Sequence, residues 1–219
     1  MRPTATAGFD VAHSGRMANV SARVAAEADV DAVAETLTLA FRADPVWGRY
    51  AFPDPERQVE QSRRLWAAYA RAAMRFPWTL VTPGCEAVAV WIPPNEPELT
   101  EEQAAEFEAL AVEVLGVAQA EVVLSALNAL DAQSPHDDPH YYLSLLATHD
   151  DHRGKGLGMA LLAACLERID AERMPAYLES TNPANDARYR GQGFEPCGAI
   201  TLPNGHVITT MWRECPPCG

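Results

Sequence analysis

The stretch His152-Arg-Gly-Lys-Gly-Leu-Gly158 joins two apolar runs, YYLSLLA at 141–147 and MALLAACLERI at 159–169. Glycines at 154, 156 and 158 let the backbone take positive φ and come close to a ligand. A helix starting there presents unsatisfied N–H groups and the positive end of its dipole. Arg153 and Lys155 add positive charge. The chemistry this turn suits is the cradling of a phosphate. A plain strand-to-helix turn would need a single glycine and neither cation. The spacing is not that of a P-loop, which needs GxxxxGK[ST], nor that of a dinucleotide fingerprint, because the glycines run G-x-G-x-G.

Two other groups have ligand-type side chains. His136, Asp137, Asp138 and His140 lie in SPHDDPH, with prolines on both sides and no regular spacing. That composition reads as a solvated loop rather than a metal site. Among the five cysteines, Cys215 and Cys218 form CPPC at the C-terminal end. It lacks a second pair at metal-ligand spacing and a strand-helix context, so it reads as a tail. Cys165 falls in a helical apolar stripe and is expected to be a buried small hydrophobe. No metal site is expected.

The elements around the glycine loop follow from periodicity. HYYLSLLAT is a strand, GLGMALLAACLERIDAER a helix, PAYLEST a strand and ANDARYRGQ a short helix. FEPCGAITL and HVITTMWR are two last strands joined at PNG. The loop thus sits at the first turn of a βαβ crossover. Upstream, SARVAAEADVDAVAETLTLAFRADP reads as a short strand and a helix, capped by Asp29 and ended by Pro45, with Ala32, Val33, Thr36, Leu37 and Ala40 at helical spacing. A second helix spans Pro55 to Phe76, with a stripe of Val59, Leu65, Trp66, Tyr69 and Met74. WTLVTP and EAVAVWIPP flank Pro83-Gly84 as an antiparallel hairpin. Thr100 and Gln103 form a capping box for a helix burying Phe107, Leu110, Ala111, Val114 and Leu115. Gly116 interrupts it before a further helix to about Leu130.

The chain has 219 residues, 48% hydrophobic and 21% charged, with a formal net charge of −13. That allows one domain with a full core. Residues 1–20 lack the continuous apolar core of a secretory signal and read as a disordered tail, followed by a single domain over 21–213 and a tail at 214–219. No apolar run approaches the ~20 residues of a membrane span. The expected location is the cytoplasm, with no membrane partner. So acidic a chain does not draw nucleic acid by bulk charge, and favours cationic small molecules instead.

Arg153-Gly-Lys-Gly156-Leu-Gly158 resembles the (Q/R)-x-x-G-x-(G/A) signature of the GNAT acyl-CoA N-acetyltransferases. LESTNPANDARYRGQGFE, Leu178 to Glu195, resembles the second signature of that family, a strand followed by an Asn-containing turn, a Tyr and Gly-Phe. Together the two cover about residues 140–212. LAFRADPVWGRYAFPDPERQVEQ with EAVAVWIPP is similar to the puromycin N-acetyltransferase branch and related actinobacterial enzymes.

The resemblance implies an α/β (α+β) GNAT fold: a central mixed twisted sheet of about six to seven strands, flanked by helices and split between two parallel central strands. It implies acetyl-CoA as co-substrate. Arg153, Gly154, Lys155, Gly156, Leu157 and Gly158 would hold the pyrophosphate, backbone groups of Leu145, Leu146 and Ala147 the pantetheine arm, and Asn182 would hydrogen-bond that arm. Asn185 is expected to cap the short helix. Tyr189 matches the acid that protonates the leaving sulfur. Glu179 is the first choice of base, directly or through a water, with His140, His149 or a backbone-bound water as alternatives.

The implied activity is acetyl transfer to a primary amine of a small, cationic molecule, an antibiotic or aminonucleoside of resistance or secondary-metabolism type being one class. The alternatives are a peptide or protein amine as acceptor, and a non-catalytic acyl-CoA sensor. A monomer or homodimer is expected. Trp47, Tyr50, Trp66, Trp78 and Trp91 are candidates for the acceptor wall, of which about two should face substrate, since aromatics at such spacings are more often core.

Overall fold

The computed structural model describes residues 21–135 and 138–215. The expected N-terminal tail, His136, Asp137 and Cys218 lie outside them. Among the described residues a seven-stranded sheet runs in the order β1-β2-β3-β4-β5-β7-β6. The strands are β1 (Arg23–Val24), β2 (Thr79–Val81), β3 (Ala87–Ile92), β4 (Tyr141–Thr148), β5 (Ala176–Ser180), β6 (Glu195–Thr201) and β7 (Val207–Arg213). The helices are α1 (Val30–Phe41), α2 (Gln58–Ala73), α3 (Glu101–Leu115), α4 (Val117–Asp131), α5 (Leu157–Ala171) and α6 (Asp186–Arg190).

The apolar run AVAVWI makes β3 a central strand buried on both faces. Val88 and Val90 face one core with α1, α2, α3 and α4, while Ala87, Ala89 and Trp91 face the other with α5. Strands β2 and β3 pair antiparallel, as the turn at Pro83-Gly84 predicts. Cys165 is fully buried in α5.

Two features of β4 make the site. Among the described residues its only parallel partner is β5, and their ladder stops at Leu143 and Leu178. Beyond that point β4 continues to Thr148 with one edge free, which opens the expected split. On its other edge the register with β3 slips: Val90 pairs with Leu145 and Trp91 with Leu143, leaving Ser144 as a β-bulge. The extra residue inverts the inside-outside alternation. Tyr141 and Leu143 therefore enter the α5 core, whereas Leu145 and Ala147 enter the opposite one.

Local details differ from the sequence expectations. Asp29 does not cap α1. Its carboxylate turns back to the Ala26 N–H and to the Arg23 guanidinium, at 2.8 and 2.6 Å, because the strong bidentate partner lies upstream. In α2, Val59 is exposed while Gln58 and Gln61 are buried. Gln58 donates to the Arg42 carbonyl just past α1, and Gln61 to the Val114 carbonyl in the last turn of α3. Those polar side chains serve carbonyls that have no intrahelical donor. Ala32 likewise faces solvent. The capping box at Thr100 and Gln103 forms with both bonds made.

Candidate active site

The split exposes a groove walled by residues from α1, β4, the glycine loop and the segment after β5. It is lined by Leu146, Ala147, Arg153, Gly154, Gly156, Leu157, Gly158, Asn182 and Tyr189, together with Asp44 and Thr148. Gly154 and Gly156 have φ of +78° and +75°, and a Cβ at either would meet nothing within 4 Å. The turn thus has the left-handed backbone that glycine permits and open space above it. No side chain caps α5 at Gly156, so its first-turn N–H groups are available to an anion. A phosphate fits this cradle. At Gly158 the helix comes so close to β4 that a Cβ would sit 2.6 Å from Thr148 Oγ1.

Two residues expected at the cofactor are not on the groove wall. Lys155 Nζ donates to the Asp151 carbonyl at 3.1 Å, within the loop. Leu145 lines the neighbouring cavity further back along β4, where the bulge turns Ser144 and Leu145 the same way. Arg153 is on the groove, ion-paired with Asp150 at 2.8 Å and donating to the Ala40 carbonyl at 2.6 Å. Asn182, rather than Asn185, makes the capping bond of its turn: its Oδ1 accepts from the Ala184 N–H at 3.1 Å. Asn185 Oδ1 instead accepts from Arg188 at 2.8 Å, because the turn begins one residue set earlier, at Pro183.

Tyr189 packs edge-on against Phe194, with ring centroids 6.3 Å apart. Its hydroxyl hydrogen-bonds to no described residue. Burial, with Asp44 nearby, pushes its phenol up to about 12, so it stays protonated at neutral pH. Asp44 accepts from the Val46 and Trp47 N–H groups at 2.9 Å and from Thr181 Oγ1 at 2.9 Å. It thereby fixes the π-turn Pro45–Tyr50 that presents Trp47.

Beside the groove, further back along β4, lies an aromatic chamber. Trp47, Trp66, Tyr69 and Phe107 meet in successive edge-to-face contacts, with centroids 6.0, 6.4 and 6.1 Å apart. Of the five aromatic candidates, Trp47 and Trp66 line this chamber. Trp78 and Trp91 belong to the α5 core, and Tyr50 packs against the opposite core.

Glu179, at the end of β5, reaches the same chamber. Burial, reinforced by Glu98, pushes its carboxyl up to about 8, against the lowering influence of the Tyr142 and Tyr177 phenols. Glu98 is a second carboxylate here. It comes from the β3–α3 loop, accepts from Tyr69 Oη and is also held above the ordinary carboxylate range by burial. Sequence reading missed Glu98, Tyr142 and Ser144. The proline-bracketed PPNEPEL was a usable signal for Glu98, since functional side chains gather on loops held by rigid elements. His140 lies on the rim beside Tyr177 and Trp212. His149 is engaged in the glycine loop, where its Nδ1 accepts from the Asp151 N–H at 3.2 Å.

The acetyltransferase (GNAT) domain family matches this chain over residues 95–215. The chain belongs to that family. Two curated relatives are the L-methionine sulfoximine/L-methionine sulfone acetyltransferases of Pseudomonas paraeruginosa and Pseudomonas aeruginosa. Each is 46% identical over 54 residues, covering 23% of this chain and 31% of the relative. The match thus spans about a third of those relatives' length.

Among solved structures, one from Corynebacterium glutamicum, described as histone acetyltransferase HPA2 and related acetyltransferase, is similar with a TM-score of 0.64 and 24% identity, over 91% of this chain and 98% of that one. Arylalkylamine N-acetyltransferase 2 from Aedes aegypti is similar with a TM-score of 0.60 and 14% identity, over 90% and 100%. These likenesses establish the GNAT fold, with its single parallel pair β4–β5. Among the described residues no helix is long and apolar enough to cross a membrane.

Proposed function

We propose that this GNAT chain is an acetyl-CoA-dependent N-acetyltransferase whose acceptor is a small, cationic primary amine. The observation that carries the reading is a pair of neighbouring cavities along β4: a groove with a phosphate cradle and a protonated phenol, and an aromatic chamber with two carboxylates. The free edge of β4 beyond Leu143 suits a pantetheine arm, which would pair with it as an added strand does. The likeness of Leu39–Gln61 to the puromycin N-acetyltransferase branch favours a small molecule over a protein acceptor.

The proton steps follow from the residues. The amine arrives as an ammonium ion drawn by the ionised forms of Glu98 and Glu179. Glu179 accepts one proton, directly or through a water, and releases it to solvent. A carboxyl near 8 is a better match to an amine than an ordinary carboxylate would be. The neutral nitrogen then attacks the thioester carbonyl, forming the C–N bond. The C–S bond breaks as the adduct collapses, and Tyr189 gives its proton to the departing thiolate. The second nitrogen proton returns through water to the tyrosinate. The products are the acetamide and the free thiol of coenzyme A.

The test is thiol release from acetyl-CoA with a panel of aminonucleosides, aminoglycosides, amino acids, polyamines and peptides. Release is expected with a small cationic amine. Release no faster than hydrolysis with every amine would overturn the reading.

A further inference from the structure

The groove and the chamber are neighbours along β4, yet no described residue lines both. Three chain segments pass from one lining to the other. On β4, Leu145 lines the chamber and Leu146 the groove. After β5, Thr181 lines the chamber and Asn182 the groove. At the π-turn Pro45–Tyr50, Trp47 lines the chamber and the capping Asp44 the groove. An acyl group carried in the groove reaches an amine in the chamber only between these segments.

Two of the three segments are joined by one bond. Thr181 Oγ1 donates to Asp44 Oδ2 at 2.9 Å, although the two residues are 137 positions apart. Each end of that bond is anchored separately. The Thr181 carbonyl accepts from His206 Nε2, in the β6–β7 turn, at 2.7 Å. The preceding Ser180 Oγ donates to Asp186 Oδ1 at 2.6 Å. At the other end, Asp44 Oδ1 accepts the Val46 and Trp47 N–H groups. The line of bonds therefore runs from the β6–β7 turn, through Thr181 and Asp44, to the backbone of Trp47. A cap alone does not ask for this, because a Ser or Thr caps a turn with one neutral oxygen. Asp44 is a carboxylate only 7% exposed, and it makes no ion pair among the described residues. Burying such a charge is costly. What the carboxylate adds over a neutral cap is its second oxygen, and that oxygen is the one on Thr181.

We propose that Asp44 is a positioning residue for acyl transfer: through Thr181 it locks the turn that carries Trp47 to the end of β5, and so sets the gap in which thioester and amine meet. Asp44 acts through Trp47 and Thr181 and not on the reacting atoms. This inference rests on the N-acetyltransferase reading and adds a positioning residue to the same site.

The experiment uses Asp44→Ser, Thr181→Val, the double variant and Thr181→Ser, with acetyl-CoA and the fastest amine of the panel above. Asp44→Ser keeps a capping oxygen for the turn but is too short to reach Thr181. Thr181→Val keeps the branched shape and removes the donor. Small misplacements of reacting groups are costly, so kcat should fall by about tenfold or more in each of these two variants. Acetyl-CoA affinity, by calorimetry, should stay at the wild-type value. Because both changes break one bond, the double variant should lose no more than either single one. Thr181→Ser restores the donor and should recover wild-type kcat. A bond that serves stability alone would lower Tm in these variants and leave kcat unchanged at temperatures well below Tm. Wild-type kcat in Thr181→Val, multiplied losses in the double variant, an equal loss in Thr181→Ser, or a matching loss of acetyl-CoA affinity would overturn the proposal. If no amine is acetylated, the transfer reading has failed, and hydrogen exchange of the amides at 46–50 then decides on the lock alone. Faster exchange in Thr181→Val supports it, and unchanged exchange overturns it.

Discussion

The hydroxyl of Tyr69 lies 2.8 Å from Ser144 Oγ and also donates to the Glu98 carboxylate. Ser144 is the residue that the β4 bulge leaves without a partner on β3. One phenol therefore ties α2, the bulge and the β3–α3 loop together at the wall of the aromatic chamber. Tyr69→Phe keeps the ring and its contacts with Trp66 and Phe107 but removes the donor. A hydrogen bond to a charged group is worth about 1.5–3 kcal/mol, so acceptor KM should rise by about tenfold or more. Acetyl-CoA affinity, measured by calorimetry, should not change. A parallel loss of acetyl-CoA affinity would mean that Tyr69 supports the whole fold rather than the acceptor side.

Glu179 sets the pH dependence. Only its ionised form can take a proton, so kcat/KM should rise with pH along a limb near the value of about 8. Tyr189, pushed up to about 12, stays protonated across that range. Glu179→Gln should lower kcat/KM by ~10² and abolish the limb.

The same residue has a stability signature. Its folded-state pKa is raised, so the folded chain binds more protons than the unfolded one between the ordinary carboxylate range and about 8. Stability is therefore lost as pH climbs through that window. Glu179→Gln should match wild-type Tm below pH ~4 and exceed it above pH ~9. A Tm difference that is the same at both extremes would show that Glu179 is not held protonated by the fold.

The glycine loop gives a prediction on binding. A side chain at position 156 meets open space but must accept a φ of +75°. Asn and Asp tolerate that conformation best among non-glycine residues. Gly156→Asn and Gly156→Asp should therefore both fold, at similar cost. If the loop holds a pyrophosphate, the charged variant should bind acetyl-CoA about tenfold or more weaker than the neutral one. Equal affinity in the two variants, by calorimetry, would remove the phosphate from this turn.

Much of the frame was legible in the chain because it is written in local signals. EAVAVWIPP read as one strand of a hairpin from its flanking turn signal, and HRGKGLG marked a strand-to-helix turn with surplus glycine. What stayed hidden depends on non-local register. YYLSLLAT reads as a nearly continuous apolar run, and nothing in it announces that Ser144 is skipped. That slip sends Leu145 to the acceptor chamber and Tyr141 to the α5 core. The proline-bracketed loop could have marked Glu98 as a candidate, but its role stayed hidden for a related reason. Its role comes from Tyr69 on α2 and Ser144 on β4, both remote in sequence. Lys155 shows the reverse case, a cation whose type suggested phosphate but whose amine satisfies the Asp151 carbonyl within its own turn.

Tyr189 provides the sharpest test of the chemistry. It lines the groove beside Asn182 and Gly156, and no described residue accepts its proton. If that proton goes to the leaving thiolate, the interaction exists only in the transition state. Tyr189→Phe retains the ring and its edge contact with Phe194 while removing the acid. Then kcat and kcat/KM should fall together while KM stays at the wild-type value. General acid catalysis is worth ~10²–10⁴-fold, or about 3–5 kcal/mol of barrier. The low end is expected, because a thiolate is already a fair leaving group and water can partly substitute. Were Tyr189 only a packing residue, the Phe variant would keep wild-type turnover, since its hydroxyl bonds to no described residue. Single-turnover kinetics, which isolate the chemical step from product release, separate the two outcomes. Unchanged single-turnover rates in Tyr189→Phe would rule out the acid role.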